Sequence, residues 1–348
     1  MSIFQHISPA EAGFIRRYFD GIDHAVAREL VYGKTTYEEF LTATLGRLMD
    51  QHSPFQSLLD YPHRKLSEDL DACGSGNHTT IEFETHEHSK SRANPIRADL
   101  GIILKLEGSP HRKPLEKAVL VESKRLYPTR NLFRLSSEYE AYKDGQQQEL
   151  IKVEQRFISG FVYYFLYNPT LSEFDERSAA VIRAYENQNT NRASLIASYK
   201  MHLQYILLAE QFAESQLISV SENPEYLRSR QNAKAQKKPG LRVMAVSSFE
   251  NKNIFKSSKP QLDECYEFVK STDWLLNTSV ILFPSLSEFI IDFIGACVCG
   301  SWDPLAIKIA SGGIVKLDAS DSASENAHTV LASHTLRINI SSTLFSDD

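Results

Sequence analysis

Two strongly apolar segments, residues 97–106 and 117–126, constrain the fold most, because charged residues stand inside them. Asp99 lies near the start of the first segment, and Glu122 and Lys124 lie in the second. Both segments have the pattern of central β-strands that are covered on both faces. Burying carboxylates and an ammonium group there costs several kcal/mol unless the charges pair or hold a metal ion. The three residues together therefore predict a functional site on two central strands.

Hydrophobic periodicity predicts the elements around these two strands. Ser8, Pro9 and Glu11 supply the cap, the first-turn proline and the third-position acid of a helix start. In chain order the prediction is a helix at 8–31, a helix from 35 or 36 to 49, a loop with room for a short helical turn at 50–77, a strand at 79–85, the two apolar strands, a helix at 138–158 and a strand at 160–167. From the second helix onward, the order is helix, strand, strand, strand, helix, strand.

The second helix carries an apolar stripe that we expect to face the core. Its members recur at helical spacing: Tyr37, Phe40, Leu41, Leu45 and Leu48.

The rest of the chain mixes helical and strand patterns. The prediction is helices at 172–219, 259–276 and 285–299, strands at 241–246, 279–283 and 336–340, and a loop at 318–326. We therefore divide the chain into an N-terminal helical segment (1–34), a core (35–170) and a C-terminal region of helices and strands (171–348), which we expect to bind substrate or a partner.

The spacing of the charged residues predicts a site for a hard divalent cation. Residues two apart on a strand project from the same face, so Glu122 and Lys124 point together while Ser123 offers its carbonyl at the same level. Asp99 joins them if the two strands pair. Mg²⁺ prefers such oxygen ligands and keeps waters that can attack phosphorus. The lysine would orient or deprotonate that water, or neutralise phosphate charge in the transition state.

Asp99 followed by Glu122-Ser123-Lys124, within this order of elements over residues 35–168, resembles the PD-(D/E)XK, or restriction-endonuclease-like, nuclease superfamily. The resemblance implies an α/β fold with a restriction-endonuclease-like core, a central mixed β-sheet flanked by helices, beside a C-terminal α+β region. It also implies that Asp99 and Glu122 bind Mg²⁺, for which Mn²⁺ can substitute, and that Lys124 assists phosphodiester hydrolysis. One departure is Ala98, which stands where a proline is usual and affects the turn into the strand more than the metal site.

Superfamily members commonly add an acid from the first core helix, and Glu38 and Glu39 match that position. With Tyr37 at zero, the apolar stripe centres near ~30°, so Glu38 falls at its edge near ~100° and Glu39 faces solvent near ~200°. We therefore prefer Glu38 as a further metal ligand. Two ordinary surface acids at a helix start are the alternative.

Some branches of the superfamily also carry a glutamine in the helix after the lysine, and Gln146 and Gln147 match that feature. Both flank the inner face of the predicted helix. Gln147 is taken as the catalytic candidate, with Gln146 and a simple solvated helix start as alternatives.

Basic residues suggest where nucleic acid would bind. The candidates follow the site directly or cluster before a predicted strand: Arg125, Arg130, Arg228, Arg230, Lys237 and Lys238. Solvated loops are the alternative. The net charge of −6 argues against a tail-driven nucleic-acid binder, so any polyanion site must be local.

Length, cysteine spacing and the lack of certain motifs limit the remaining classes of protein. The 348 residues suffice for one large domain or two modest ones, and the four cysteines are irregularly spaced, which favours reduced thiols and the cytoplasm. The N-terminus has no secretory pattern, and the apolar stretch at 289–299 falls short of the ~20 residues that a membrane helix needs. No phosphate-binding loop of the GxxxxGK[ST] type occurs, so any ATPase or helicase would be a separate partner. An oligomer is compatible with the sequence, and no membrane partner is expected.

Three hypotheses about function follow. The first is a metal-dependent nuclease, with DNA favoured over RNA, that serves in a prokaryotic anti-phage defence or restriction system by analogy with the superfamily. The second is a non-catalytic adaptor that binds nucleic acid or protein with the same fold. The third is a structural subunit with no role on nucleic acid.

Overall fold

The structure is a computed structural model, and it describes only part of the chain. The described ranges are 7–32, 37–73, 79–88, 96–107, 115–127, 138–139, 144–157, 160–169, 240–245, 285–295, 299–313, 315–317 and 328–342. The predicted elements at 172–219, 259–276, 279–283 and 318–326 lie outside these ranges.

The described residues form both helices and strands. In chain order they are α1 (Pro9–Tyr32), α2 (Glu38–Met49), a 3₁₀ turn (Pro54–Leu58), α3 (His63–Ala72), β1 (Thr79–Glu87), β2 (Ile96–Glu107), β3 (Leu115–Tyr127), β4 (Glu138–Tyr139), α4 (Asp144–Arg156), β5 (Val162–Tyr167), β6 (Arg242–Ala245), α5 (Leu286–Glu288), a π-helical segment (Phe289–Gly295), α6 (Pro304–Ala310), β7 (Val315–Leu317) and β8 (His328–Ser342).

Within the described ranges, seven strands form one mixed sheet, and the short β4 pairs only with the end of β3. The order across the sheet is β1-β8-β2-β3-β5-β6, with β7 paired to the first residues of β8. β2 runs antiparallel to β3 and parallel to β8, whereas β3 runs parallel to β5. The predicted α/β class with a helix-flanked mixed sheet is confirmed at this level.

The last strand occupies an interior position in the sheet. β8 lies between β1 and β2, and it is much longer than the strand predicted at 336–340. β6, β7 and β8 all come from the region after residue 170, so the sheet contains strands from both sides of the boundary predicted between 35–170 and 171–348. Local sequence pattern carries no information about such distant strand pairing.

Helices cover both faces of the sheet. α2 contacts β1 and β3, and its Thr42 hydroxyl lies 2.8 Å from that of Ser123. α6 lies on the opposite face, where it contacts β2, β3 and β8. Gly101 of β2 faces α6 so closely that a Cβ atom there would overlap the main chain of Ala310, so this crossing requires glycine.

The helix starts show which local signals sufficed. At α1, the Ser8 amide donates to Glu11 Oε2 at 2.7 Å and the Glu11 amide donates to Ser8 Oγ at 3.3 Å, so the predicted capping box is confirmed. The second helix begins at Glu38, later than predicted, and the fourth begins at Asp144 rather than at 138.

The prediction of a loop at 50–77 needs correction, because this range contains the ten-residue helix α3 in addition to the 3₁₀ turn. α3 buries only Leu66 and Leu70, so its apolar pattern is too thin to stand out in the sequence. Polar pairs such as Lys65 Nζ to Asp69 Oδ1, 2.9 Å apart, cover its outer face.

The predicted membership of the apolar stripe on α2 also needs correction. Leu41, Leu45 and Leu48 are buried as predicted, but Tyr37 and Phe40 are 69% and 43% exposed. Thr42, Thr44 and Met49 are buried instead, which moves the centre of the inner face to about 60° on the same helical wheel. The two aromatic rings therefore leave the core, while Glu38 turns toward it.

The structure bears on two features predicted from the sequence, the lack of a membrane helix and the reduced state of the cysteines. No helix in the described ranges is long and apolar enough to cross a membrane. Of the cysteines, Cys73 and Cys299 are described, and both are thiols outside any disulfide bond.

Candidate active site

The candidate site lies where β2 and β3 stop pairing. Their antiparallel ladder runs from Leu106 opposite Leu115 to Leu100 opposite Val121. Beyond this point the Asp99 side chain, rather than the main chain of β2, bonds to β3. Its Oδ2 accepts a hydrogen bond from the Ser123 amide at 2.7 Å. A carboxylate is thus held at the point where the two strands diverge.

Glu122 and Lys124 project from β3 as the strand alternation predicted, and both are buried. Lys124 Nζ donates to Glu122 Oε1 at 2.8 Å. The ammonium also lies 3.8 Å from Glu38 Oε2, at the start of α2. The structure therefore brings Asp99, Glu122, Lys124 and Glu38 into one region, from three elements that are distant in sequence.

Geometry distinguishes the two acids of α2. Glu38 has a side chain only 14% exposed, and its Oε1 accepts a hydrogen bond from the Arg125 amide at 3.0 Å. Glu39 is exposed. Glu38 is thus the acid at the site, but its carboxylate contacts Lys124 and the main chain of β3, which is the geometry of a positioning residue.

A hydroxyl network fixes α2 against the rear of β3. Thr42 Oγ1 lies 2.8 Å from Ser123 Oγ and 3.3 Å from the Tyr167 hydroxyl of β5. The Thr42 hydroxyl also bonds the Glu38 carbonyl oxygen at 3.1 Å. These bonds hold Glu38 in register with Lys124.

The electrostatics of the site are those of carboxylates crowded in a poorly solvated space. Burial, together with the charge of Asp99, raises the pKa of Glu122 to about 8, although Lys124 opposes the shift. Burial also raises the pKa of Asp99, against the Ser123 amide bond and the charge of Lys124. Burial tends to lower the pKa of Lys124, but Glu122 and Glu38 outweigh it and raise the pKa above its usual range. Lys124 is therefore an ammonium ion near neutral pH.

The donor set fits a hard cation with few protein ligands. Asp99 and Glu122 are close enough for the charge of one to raise the pKa of the other, and a divalent cation between them would relieve that repulsion. Within the described residues, no group of three His, Cys, Asp or Glu side chains is arranged to hold a metal ion. Mg²⁺ is commonly bound through one or two carboxylates and several waters, so two carboxylates are compatible with it.

Other predicted site residues are described in part or not at all. Arg125 is half-buried, and its guanidinium carbon lies 4.4 Å from the centre of the Tyr127 ring. Gln146 and Gln147 lie on α4, but the structure describes only the helix there and not these two side chains. Outside the described residues lie Arg130, Arg228, Arg230, Lys237 and Lys238.

Sequence reasoning missed two neighbours of the site. His334 of β8 donates through Nδ1 to the Asp99 carbonyl oxygen at 3.2 Å, and it reaches this place only because β8 inserts beside β2. Thr42 was missed because a threonine inside a helix gives no signal of function. Only the tertiary structure could identify either residue.

Comparison with known proteins found no matching family model, no matching curated protein and no matching solved structure.

Proposed function

We propose that this protein is a metal-dependent nuclease that hydrolyses phosphodiester bonds, with DNA as the favoured substrate. The observation that carries the proposal is the meeting of Asp99, Glu122 and Lys124 at the divergence of β2 and β3. An acidic pair beside an ammonium group is suited to binding a divalent cation and a phosphate together.

In this proposal Asp99 and Glu122 hold Mg²⁺ or Mn²⁺. The bound ion would supply a water of lowered pKa and a positive charge for the phosphate oxygens. Lys124 stays protonated because two acids raise its pKa, so we assign it to orienting water and neutralising charge rather than to removing a proton. Glu38 keeps the ammonium in place, through its contact with Lys124 and its bond from the Arg125 amide.

The finer fold assignment, a restriction-endonuclease-like core, belongs to the same proposal. It is supported by the antiparallel β2–β3 pair, the parallel β3–β5 pair and the helix α4 between β3 and β5 in sequence. The insertion of β8 between β1 and β2 is a feature that the sequence resemblance did not anticipate.

Substrate contacts and partners extend the proposal. Arg125 follows Lys124 directly and is the described candidate for gripping the scissile strand. A role in a prokaryotic anti-phage defence or restriction system, gated by a separate ATPase or helicase, rests on analogy with the superfamily.

The test is cleavage by the purified protein. Linear, circular and single-stranded DNA and RNA are incubated with Mg²⁺, with Mn²⁺ or with EDTA, beside Asp99→Ala and Lys124→Ala. We expect metal-dependent cleavage by the wild type and its loss in both variants. Equal cleavage by the wild type and both variants would refute the assignment.

A matched control lies at the other end of β2. Lys105 pairs with Glu107, two residues away on the strand, with the same kind of lysine–glutamate spacing as Lys124 and Glu122. Lys105→Ala should cleave as the wild type does. A loss in Lys105→Ala equal to that in Lys124→Ala would point to general charge effects.

A non-catalytic adaptor is the second candidate, and the ion pair itself favours it. Lys124 already provides a counter-charge for Glu122 and Glu38. Nucleic-acid binding that is unaffected by EDTA and by Glu122→Gln, with no cleavage under any condition, would support the adaptor.

A further inference from the structure

We propose that Tyr164 of β5 is a positioning residue of the candidate active site, and that its hydroxyl orients the Glu122 carboxylate for binding a divalent cation. This inference rests on the proposed nuclease function and adds a residue to that same site. Tyr164 lies on neither of the strands that carry Asp99, Glu122 and Lys124, and only the pairing within the sheet brings it to them.

The first observation is the register between β3 and β5. In this parallel pair, Tyr164 lies opposite Glu122, and Leu166 lies opposite Lys124. Residues that lie opposite each other on neighbouring strands project from the same face of a sheet. Tyr164 is therefore directly beside Glu122, on the face from which Glu122 and Lys124 project.

The second observation is that Tyr164 is the polar exception on its face of β5. Val162 and Leu166, two positions away on either side, are aliphatic, and all three residues are buried. A phenylalanine would fill the same space without the free-energy cost of burying a hydroxyl group. Because a buried tyrosine hydroxyl usually has a polar partner, the neighbouring carboxylate of Glu122 gives a reason for its presence.

Electrostatics also place the hydroxyl close to the carboxylate. Burial raises the pKa of Tyr164 above its usual range, and the charge of Glu122 raises it further. Tyr164 is therefore a neutral phenol near neutral pH, with an O–H group that can donate. Beside a carboxylate, such a donor restricts the orientation of the group without adding a positive charge that would repel a metal ion.

Burial limits how Tyr164 can act. The residue is 0% exposed, so it is not accessible to nucleic acid, and its effect must pass through Glu122. Groups that support a ligating carboxylate commonly change metal affinity or activity by about 10–100-fold when they are substituted. We therefore expect Tyr164 to act on metal binding and not on substrate binding.

The experiment measures Mn²⁺ binding to the purified protein without nucleic acid, from the EPR signal of the free ion. The variant Tyr164→Phe removes only the hydroxyl and keeps the ring that fills the core. We expect its Kd for Mn²⁺ to rise on the order of 10-fold. In cleavage assays, the Mg²⁺ concentration that gives half the maximal rate should rise in parallel. The KM for DNA and the rate at saturating Mg²⁺ should stay close to the wild-type values.

Tyr163→Phe is the matched control. Tyr163 is the adjacent residue on β5, is 7% exposed and lies on the opposite face, where its ring centre is 4.8 Å from that of Phe289. This variant also loses a buried hydroxyl, but its Kd for Mn²⁺ should equal that of the wild type. Asp99→Asn should weaken Mn²⁺ binding, which would place the measured ion at this site.

The outcomes separate this inference from the nuclease proposal. Mn²⁺ binding that is weakened by Tyr164→Phe and not by Tyr163→Phe supports the inference. If no nucleic acid is then cleaved, the nuclease proposal alone fails. Equal Kd values for the wild type and Tyr164→Phe overturn the inference and leave the nuclease proposal intact. An equal loss in Tyr163→Phe, or a wild type that binds no Mn²⁺, also overturns the inference.

Discussion

Two buried glutamates of this protein, Glu122 and Glu154, are equally hidden from water but have different surroundings. Each side chain belongs to a residue that is 4% exposed. Glu154, near the end of α4, accepts hydrogen bonds from the amides of Gly160, Phe161 and Val162 at 2.5, 2.9 and 2.6 Å. Glu122 meets an ammonium group and a second carboxylate instead.

The difference separates a structural acid from a functional candidate. Burial raises the pKa of Glu154, and the influences that oppose it are all main-chain N–H groups. These bonds join the end of α4 to the start of β5. At Glu122, a like charge adds to burial, and such crowding of carboxylates is costly unless a cation or proton relieves it. We therefore expect Glu154 to serve stability and the Glu122 region to serve chemistry.

The largest effect should come from removing one charge at the site without removing a hydrogen-bond acceptor. Asp99→Asn keeps an oxygen for the Ser123 amide but loses the carboxylate. We expect cleavage to fall on the order of 10³-fold, while the thermal midpoint is unchanged or higher because repulsion with Glu122 is relieved. Calorimetry and a cleavage time course measure the two quantities. A fully active Asp99→Asn variant would contradict the assignment of chemistry to the Glu122 region.

At Glu154 we expect the opposite result, a loss of stability with cleavage retained. Glu154→Gln places an amide group against three main-chain donors, so the free energy of unfolding should fall by about 2–4 kcal/mol, measured in urea. The folded variant should retain its cleavage activity. Glu149→Gln, on the same helix and paired at 2.8 Å with the exposed Lys152, is the control and should change stability less, by about 1 kcal/mol or below. Equal losses in the two variants would argue against a special role of Glu154.

Glu122→Gln should change how the free energy of unfolding depends on pH. Folding raises the pKa of Glu122 from 4.5 to about 8, so between these pH values the folded state holds a proton that the unfolded state releases. The wild type should therefore lose stability as pH rises through this window. Glu122→Gln should remove that slope, so its advantage over the wild type should be largest at the alkaline end. Urea unfolding at several pH values tests this, and parallel curves would contradict it.

The smallest effect concerns the network behind the site. Thr42→Val removes the hydroxyl that bonds Ser123, Tyr167 and the Glu38 carbonyl. We expect a loss of about 1–2 kcal/mol in unfolding free energy. Cleavage should fall a few-fold, because Glu38 loses its register with Lys124. Thr44→Val, the same change one half-turn further along α2, serves as the control, and an equal activity loss there would assign the effect to general packing.

Much of the local structure could be predicted from the sequence. The strands around Asp99 and Glu122, the capping box of α1 and the position of Glu38 nearer the inner face than Glu39 all follow from spacing and short-range hydrogen bonding. Helix α3 could not be predicted, because two buried leucines in ten residues give too weak a period. The apolar period places Tyr37 and Phe40 on the inner face of α2, but they are exposed, and Thr42 and Thr44 are buried on that face instead.

The sequence by itself determined that an acid, a second acid and a lysine would stand on two buried strands, since alternation and hydrophobicity are local properties. Only the tertiary structure decided how the sheet is completed, with β8 inserted between β1 and β2 and His334 brought to the Asp99 carbonyl. It also decided that Glu38 would face Lys124 while Tyr37 and Phe40 would face solvent. The physical reason is that pairing between distant strands, and the rotation of a helix on a sheet, are set by packing over the whole core rather than by any one segment.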